Sequence, residues 1–263
     1  MELVTLLENT SLRADLTAEH GLSLYFEACG KRILFDSGQS GAFAENAGRL
    51  GVDLSQVDFM VLSHGHYDHG GGLKTFLARN DHAPVYVNPG VFEPHFNGTE
   101  KYIGLDPALQ NSDRFRCVED ALDLGGGIRL IPGKDLPQPF GANAYGLTVR
   151  ENGRFRPDGF LHEQYLELTE NGKKILLSGC SHRGILNITD FFRPDILIGG
   201  FHFKKLDPDG DGADTLEQAA KILSGFPTRY FTCHCTGVRQ YEFLKARMGD
   251  QLSYLATGSR ISL

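Results

Sequence analysis

Residues Leu62 to Gly72 read LSHGHYDHGGG and place four metal-capable side chains, His64, His66, Asp68 and His69, within six positions. The apolar run Phe59 to Leu62 ahead of them has the composition of a buried strand, and Leu73 to Ala78 behind them shows apolar residues at helical spacing. The cluster therefore sits on a strand-to-helix turn, at the carboxyl end of a strand, which is where open α/β sheets assemble their sites. Borderline divalent metals favour imidazole and carboxylate donors, and a short turn aims alternate side chains at neighbouring points. His64 and His66 then suit one ion, and Asp68 with His69 a second. A histidine-rich surface turn is the plainer alternative, but this density directly after a buried strand points to metal.

The rest of the chain supplies a frame for that turn. With 263 residues, 41% hydrophobic and 22% charged, it reads as an ordinary soluble globular protein long enough to bury a large core in one domain spanning 1–263. A net charge of −7 argues against a general affinity for nucleic acid or anionic membranes, so an anionic substrate needs local help from metal or basic residues. Neither a signal peptide nor a membrane-length apolar run is visible, and the five cysteines include no C-x-x-C pair, so the expectation is a cytoplasmic protein with reduced thiols. The sequence is silent on oligomeric state.

Val4–Leu7, Leu22–Ala28 and Arg32–Phe35 read as strands, Ala42–Leu50 as a helix, and Pro84–Asn88 as a further short strand. From about 89 to 160 the periodicity fades and glycine and proline collect, which suggests an insertion forming a wall or lid over the site. The regular pattern then returns as a repeat. Lys174–Cys180, a helical stretch and Asp195–His202 parallel Arg32–Gly38, a helical stretch and Asp58–His64, so the chain reads as two related strand–helix–strand halves. His182 and His234 fall just past or at the ends of predicted strands, which adds them to the candidates for one common cavity.

The segment His64-Gly65-His66-Tyr67-Asp68-His69 resembles the signature of the metallo-β-lactamase superfamily. Ala18–Ser23, Ile33–Gly38, Gly179–His182, Gly199–His202 and His234–Gly237 resemble the branch of metal-dependent hydrolases related to dihydropterin–ribofuranosylaminobenzene-phosphate synthase, and these motifs cover nearly the whole chain. The resemblance implies an α/β fold, a four-layer αββα sandwich of two mixed β-sheets with outer helices and the metal site at one shared edge. It also implies one or two divalent metal ions, zinc foremost with manganese or iron as alternatives. His64 and His66 with a third histidine would hold one ion, and Asp68, His69 and His234 the other.

Two departures from the family pattern stand out. Where a Gly-Asp usually supplies a bridging carboxylate, this chain reads Gly179-Cys180, so Cys180 either ligates as a thiolate or fills space. The third histidine also lacks its usual setting; His182 is assigned the role, with His162 beside Glu163 in reserve. Asp36 occupies the position of a carboxylate that orients metal-bound histidines. His20 and His202 resemble further branch motifs and, with Asp68, are the candidates for substrate contact or proton transfer.

Other features read as structural. Asp207–Gly212 imitates half of a calcium loop but has Gln218 where a bidentate Glu is needed, and Cys233 and Cys235, on a strand with His234, would face away from it as packing residues. The expected activity is attack by a metal-bound hydroxide, its pKa brought to about 7, on a phosphate-containing small molecule, and the resemblance adds group transfer and a pterin-related substrate to the expectation. A non-catalytic metal-binding sensor and an iron-dependent redox enzyme are the alternatives.

Overall fold

The computed structural model describes residues 1–263, and its architecture follows from the strand patterns. One seven-stranded sheet orders Arg260–Ser262, Glu2–Leu7, Ser23–Ala28, Lys31–Phe35, Phe59–Val61, Val85–Val87 and Phe115–Cys117. The other orders Leu252–Tyr254, Arg229–Thr232, Ile196–Ile198, Lys173–Leu177, Gln164–Glu170, Ile128–Pro132 and Leu122–Gly125. Both sheets are mixed. Lys31–Phe35 runs antiparallel to Ser23–Ala28 and parallel to Phe59–Val61, and Lys173–Leu177 stands in the same relation to Gln164–Glu170 and Ile196–Ile198. The repeat read from the sequence is thus a repeat of topology.

Side-chain alternation sorts the core into layers. Ile33, Phe35, Ile175, Leu177, Ile196 and Ile198 enter the cluster between the two sheets, with Phe26, Phe59, Leu166 and Phe231. The intervening Leu34 packs outward with Phe43, Ala47, Leu73 and Phe76, which come from helices Ala42–Arg49 and Leu73–Arg79. Leu176 and Leu197 pack outward on the other side against Ile188, Leu216, Leu223 and Leu244, from helices Ile185–Phe192, Ala213–Ser224 and Val238–Met248. Strands with apolar residues on both faces need cover on both faces, and the result is helix, sheet, sheet, helix.

The stretch 89–160 is not one insertion. Phe115–Cys117 pairs in parallel with Val85–Val87 at the edge of the first sheet, and Leu122–Gly125 with Ile128–Pro132 complete the second. Only His95–Asn97, Lys101–Tyr102, Leu147–Glu151 and Arg154–Pro157 form a separate four-stranded antiparallel sheet. The edge strands Phe115–Cys117 and Leu122–Gly125 carry no buried residue, so they lack the continuous apolar run that marks a central strand.

Candidate metal centre

The parallel strands of both sheets deliver their carboxyl ends to one edge. Asp36 follows Lys31–Phe35, the His64–His69 turn follows Phe59–Val61, Cys180 and His182 follow Lys173–Leu177, His202 follows Ile196–Ile198, and His234 follows Arg229–Thr232. Gln164–Glu170 runs the other way, so its beginning brings His162 and Glu163 to the same edge. Two glycines make the approach close. A Cβ at Gly65 would lie 2.3 Å from the Val91 carbonyl oxygen, and one at Gly179, whose φ is +62°, would lie 2.5 Å from Ser63 Oγ.

Two groups of donor atoms form there. His64 Nε2 lies 3.1 Å from His66 Nδ1 and 3.3 Å from His182 Nε2. His69 Nε2 lies 3.2 Å from His234 Nε2, which in turn lies 3.3 Å from Asp68 Oδ2. Cys180 Sγ stands 3.0 Å from His69 Nε2, beside both groups. All seven residues are buried.

The outer hydrogen bonds decide what the inner atoms are. Asp36 Oδ2 accepts from His69 Nδ1 at 2.6 Å and from Ser63 Oγ at 2.7 Å, while Oδ1 accepts from the Ser63 N–H at 2.7 Å. With its proton given to Asp36, Ser63 Oγ accepts from His64 Nδ1 at 2.8 Å. Asn9 Nδ2 donates to the His234 carbonyl, so its Oδ1 is the partner of His234 Nδ1 at 2.9 Å. A neutral imidazole that donates at Nδ1 presents a lone pair at Nε2. His64, His69 and His234 therefore all aim lone pairs inward, and the Asp68 carboxylate adds another acceptor. Acceptors facing one another at 3.2–3.3 Å, as His69 Nε2, His234 Nε2 and Asp68 Oδ2 do, repel unless a cation lies among them. Zinc–nitrogen bonds of ~2.0–2.1 Å in a tetrahedron give nitrogen–nitrogen edges of about 3.3–3.4 Å, so the donor set fits such an ion.

Electrostatics agrees with that fit. Burial first, and the neighbouring imidazoles second, hold His64, His66 and His182 well below the usual histidine range, which leaves them neutral as ligands must be. His69 differs. Burial opposes its charge most strongly, but Asp36, Asp68 and Cys235 together outweigh that effect and push it up to about 9. In the metal-free protein a proton on His69 relieves the repulsion, and an incoming ion must displace it.

The remaining expected residues fall at different distances from these groups. Asp36 is buried, in contact with His69 directly and with His64 through Ser63. His20 Nε2 lies 3.2 Å from Asp68 Oδ2 at the pocket mouth, and its ring packs 4.8 Å from that of His234. His202 sits in the pocket wall with its ring 4.2 Å from His182. His162, held in reserve as the third histidine, accepts from the Gly65 N–H at 2.9 Å through Nδ1, so its other nitrogen carries the proton and has no lone pair to offer. His182 instead turns its Nε2 to within 3.3 Å of His64 Nε2.

Cys235 does not face away from His234. A 3₁₀ turn at His234–Thr236 replaces the strand alternation, and Cys180, His234 and Cys235 offer atoms within 4.8 Å of one another. Sequence reasoning also missed Glu8, whose Oε1 accepts from the His234 N–H at 2.6 Å, and Asn9. Three lysines escaped notice as well: Lys101, Lys204 and Lys205 line the pocket of about 400 Å³ above the metal-capable groups, with Tyr67 and Asn97.

Glu163 reports on the frame of this edge. It is fully buried, accepts from the N–H groups of His182 and Arg183, and is pushed up to about 7 chiefly by burial. Its folded pKa lies above its unfolded value, so its stabilising contribution is complete below about pH 4.5 and is lost as pH rises through about 7, at most ~3 kcal/mol. Urea unfolding of chelator-treated protein should show the wild type losing more stability than Glu163→Gln over that interval. Parallel losses in the two proteins would contradict the assignment.

Comparison with known proteins places the chain. The sequence profile of the Metallo-beta-lactamase superfamily matches residues 16–182, well over half of its length. The 7,8-dihydropterin-6-methyl-4-(β-D-ribofuranosyl)-aminobenzene-5'-phosphate synthase of Methanocaldococcus jannaschii is 29% identical over 294 aligned residues, covering 99% of this chain and 96% of that one. Among solved structures, a metal-dependent hydrolase of the β-lactamase superfamily superposes with a TM-score of 0.81 at 28% identity, covering 100% of this chain and 99% of that one. Zn²⁺-bound PqqB from Methylobacterium extorquens shares the fold at a TM-score of 0.61 and 11% identity, over the full length of both chains. Profile, full-length relative and superposition agree with the strand-end histidine cluster and the paired mixed sheets, and the chain belongs to the metallo-β-lactamase superfamily.

Proposed function

We propose that the chain is a metal-dependent enzyme of hydrolysis or group transfer acting on an anionic, phosphate-containing small molecule. The observation that carries this reading is the convergence of five buried imidazoles and a carboxylate, their ligand atoms 3.1–3.3 Å apart, on the floor of a pocket whose walls hold three lysines. In this reading His64, His66 and His182 hold one divalent ion and Asp68, His69 and His234 the other, with Cys180 beside both. Zinc is the foremost candidate for a set rich in imidazole with a thiol at hand. Such ions supply Lewis acidity and bring the pKa of water to about 7.

The chain's own side chains do the rest. Asp36, Ser63 and Asn9 fix the tautomers of His64, His69 and His234 from behind. His20 joins Asp68 to solvent, since its ring is part exposed while Asp68 is buried, and it can pass a proton between them. Lys101, Lys204 and Lys205 offset the overall negative charge locally and attract a phosphate. The phosphate in the name of the archaeal relative's product supports the same substrate class, and its pterin makes a pterin-related substrate the first to try.

The test is turnover by the zinc-loaded protein of a panel of phosphomonoesters, phosphodiesters and uncharged lactones. Turnover of phosphoesters is expected, and Lys204→Ala with Lys205→Ala should raise KM for them about tenfold or more, ~1.4 kcal/mol, with metal content unchanged. Turnover confined to the lactones, or a KM indifferent to the lysines, would contradict the substrate class.

A further inference from the structure

Behind the His64, His66 and His182 group lies a second buried polar cluster. His66, His95, Asp158 and His162 offer atoms within 4.8 Å of one another, and all four are buried. Their hydrogen bonds fix their protons. The Gly65 N–H donates to His162 Nδ1 at 2.9 Å, so His162 carries its own proton on Nε2, which faces Asp158 Oδ2 at 3.4 Å. His95 Nδ1 faces the same oxygen at 2.8 Å, and the Phe160 N–H donates to Oδ1 at 2.7 Å. With no lone pair left on His162, the cluster is a hydrogen-bonded clamp and not another ion site.

The segment from Asp158 to Glu163 touches the whole first group. Phe160 stacks on the His182 ring with centroids 4.3 Å apart and planes 10° from parallel, and Glu163 Oε1 accepts from the His182 N–H at 2.8 Å. His162 holds the amide that lies between His64 and His66. Phe160 adopts φ of +51°, a conformation that a bulky residue keeps only where its surroundings over-determine it.

His66 is the unusual member of the first group because it turns Nδ1, not Nε2, towards His64. For Nδ1 to offer a lone pair, the ring proton must sit on Nε2, a buried atom with no hydrogen-bond partner. Asp158 is the carboxylate of the cluster that His66 shares, and its negative charge favours the proton on that nitrogen.

We propose that Asp158 is the positioning residue of the first ion site: its charge holds His66 as the Nε2–H tautomer and, through His95 and His162, it sets the Gly65 turn. The inference rests on the metal reading above and adds a residue to it. It is tested by zinc competition against a chromophoric chelator and zinc stoichiometry in wild type and Asp158→Asn, with ring-nitrogen NMR of metal-free, ¹⁵N-histidine-labelled protein. Asp158→Asn should weaken the first zinc about 10- to 100-fold, leave the second within about twofold, and shift His66 away from the pure Nε2–H form.

Wild-type protein that binds no zinc would overturn the metal reading, whereas two zincs bound equally well by both proteins would overturn this inference alone. A third zinc in the wild type that is lost with Asp158 would also overturn it, since the cluster would then be an ion site. If Asp158→Asn does not fold, the wild-type spectrum decides, because a metal-free His66 protonated on Nδ1 contradicts the proposal.

Discussion

Asp68→Asn is expected to lower kcat about a thousandfold, ~4 kcal/mol, while circular dichroism and the melting temperature stay near those of the wild type. Asp68 Oδ2 stands 3.3 Å from His234 Nε2 and 3.2 Å from His20 Nε2 at the base of the pocket. An amide of the same shape removes the one negative charge in the Asp68, His69 and His234 group and the acceptor for a proton held by His20. Phosphoester turnover together with bound metal per chain reads both consequences. A variant with unchanged kcat would remove Asp68 from the mechanism.

The second large effect belongs to Asp36. Its carboxylate is fully buried and takes three hydrogen bonds, from the Ser63 N–H, Ser63 Oγ and His69 Nδ1. Asp36→Ala leaves those donors buried without an acceptor and frees His69 to change tautomer, so the expected loss of stability is about 3–5 kcal/mol, accompanied by weaker binding of the second ion. Urea unfolding of the metal-free proteins measures the first part and metal titration the second. A loss under about 1 kcal/mol with wild-type affinity would show that Asp36 is a turn residue and no more.

What the sequence made visible was local. The strand before His64 and the glycines after His69 declare a sheet-edge turn in a single stretch, and the Arg32–Gly38 and Lys174–Cys180 segments look alike because both strands are apolar on both faces. Asp36 drew attention through the family resemblance, as a carboxylate ending one of those strands. Asp158 and Asn9 did not, because each becomes important only through contacts that span much of the chain, from Asp158 to His95 and from Asn9 to His234. Their neighbourhoods in sequence are plain loops.

The errors have equally physical sources. Cys235 was read with the period of a strand, and a 3₁₀ turn beginning at His234 rotated it into the pocket. The stretch 89–160 was read as one insertion because half-exposed edge strands such as Phe115–Cys117 carry too few apolar residues to announce themselves. The choice between His182 and His162 could not be made from residue type, because what separates them is the Gly65 N–H aimed at His162 Nδ1.

The central claim is that the His64–His69 turn is the core of a metal centre completed by His182 and His234. Metal content by mass spectrometry after a chelator wash and reloading with zinc, in wild type and in His64→Ala with His66→Ala, tests it most directly. Two zinc ions per wild-type chain are expected, with no more than one in the double variant, because two of the three histidines of the first group are gone. Equal zinc in the two proteins would contradict the claim.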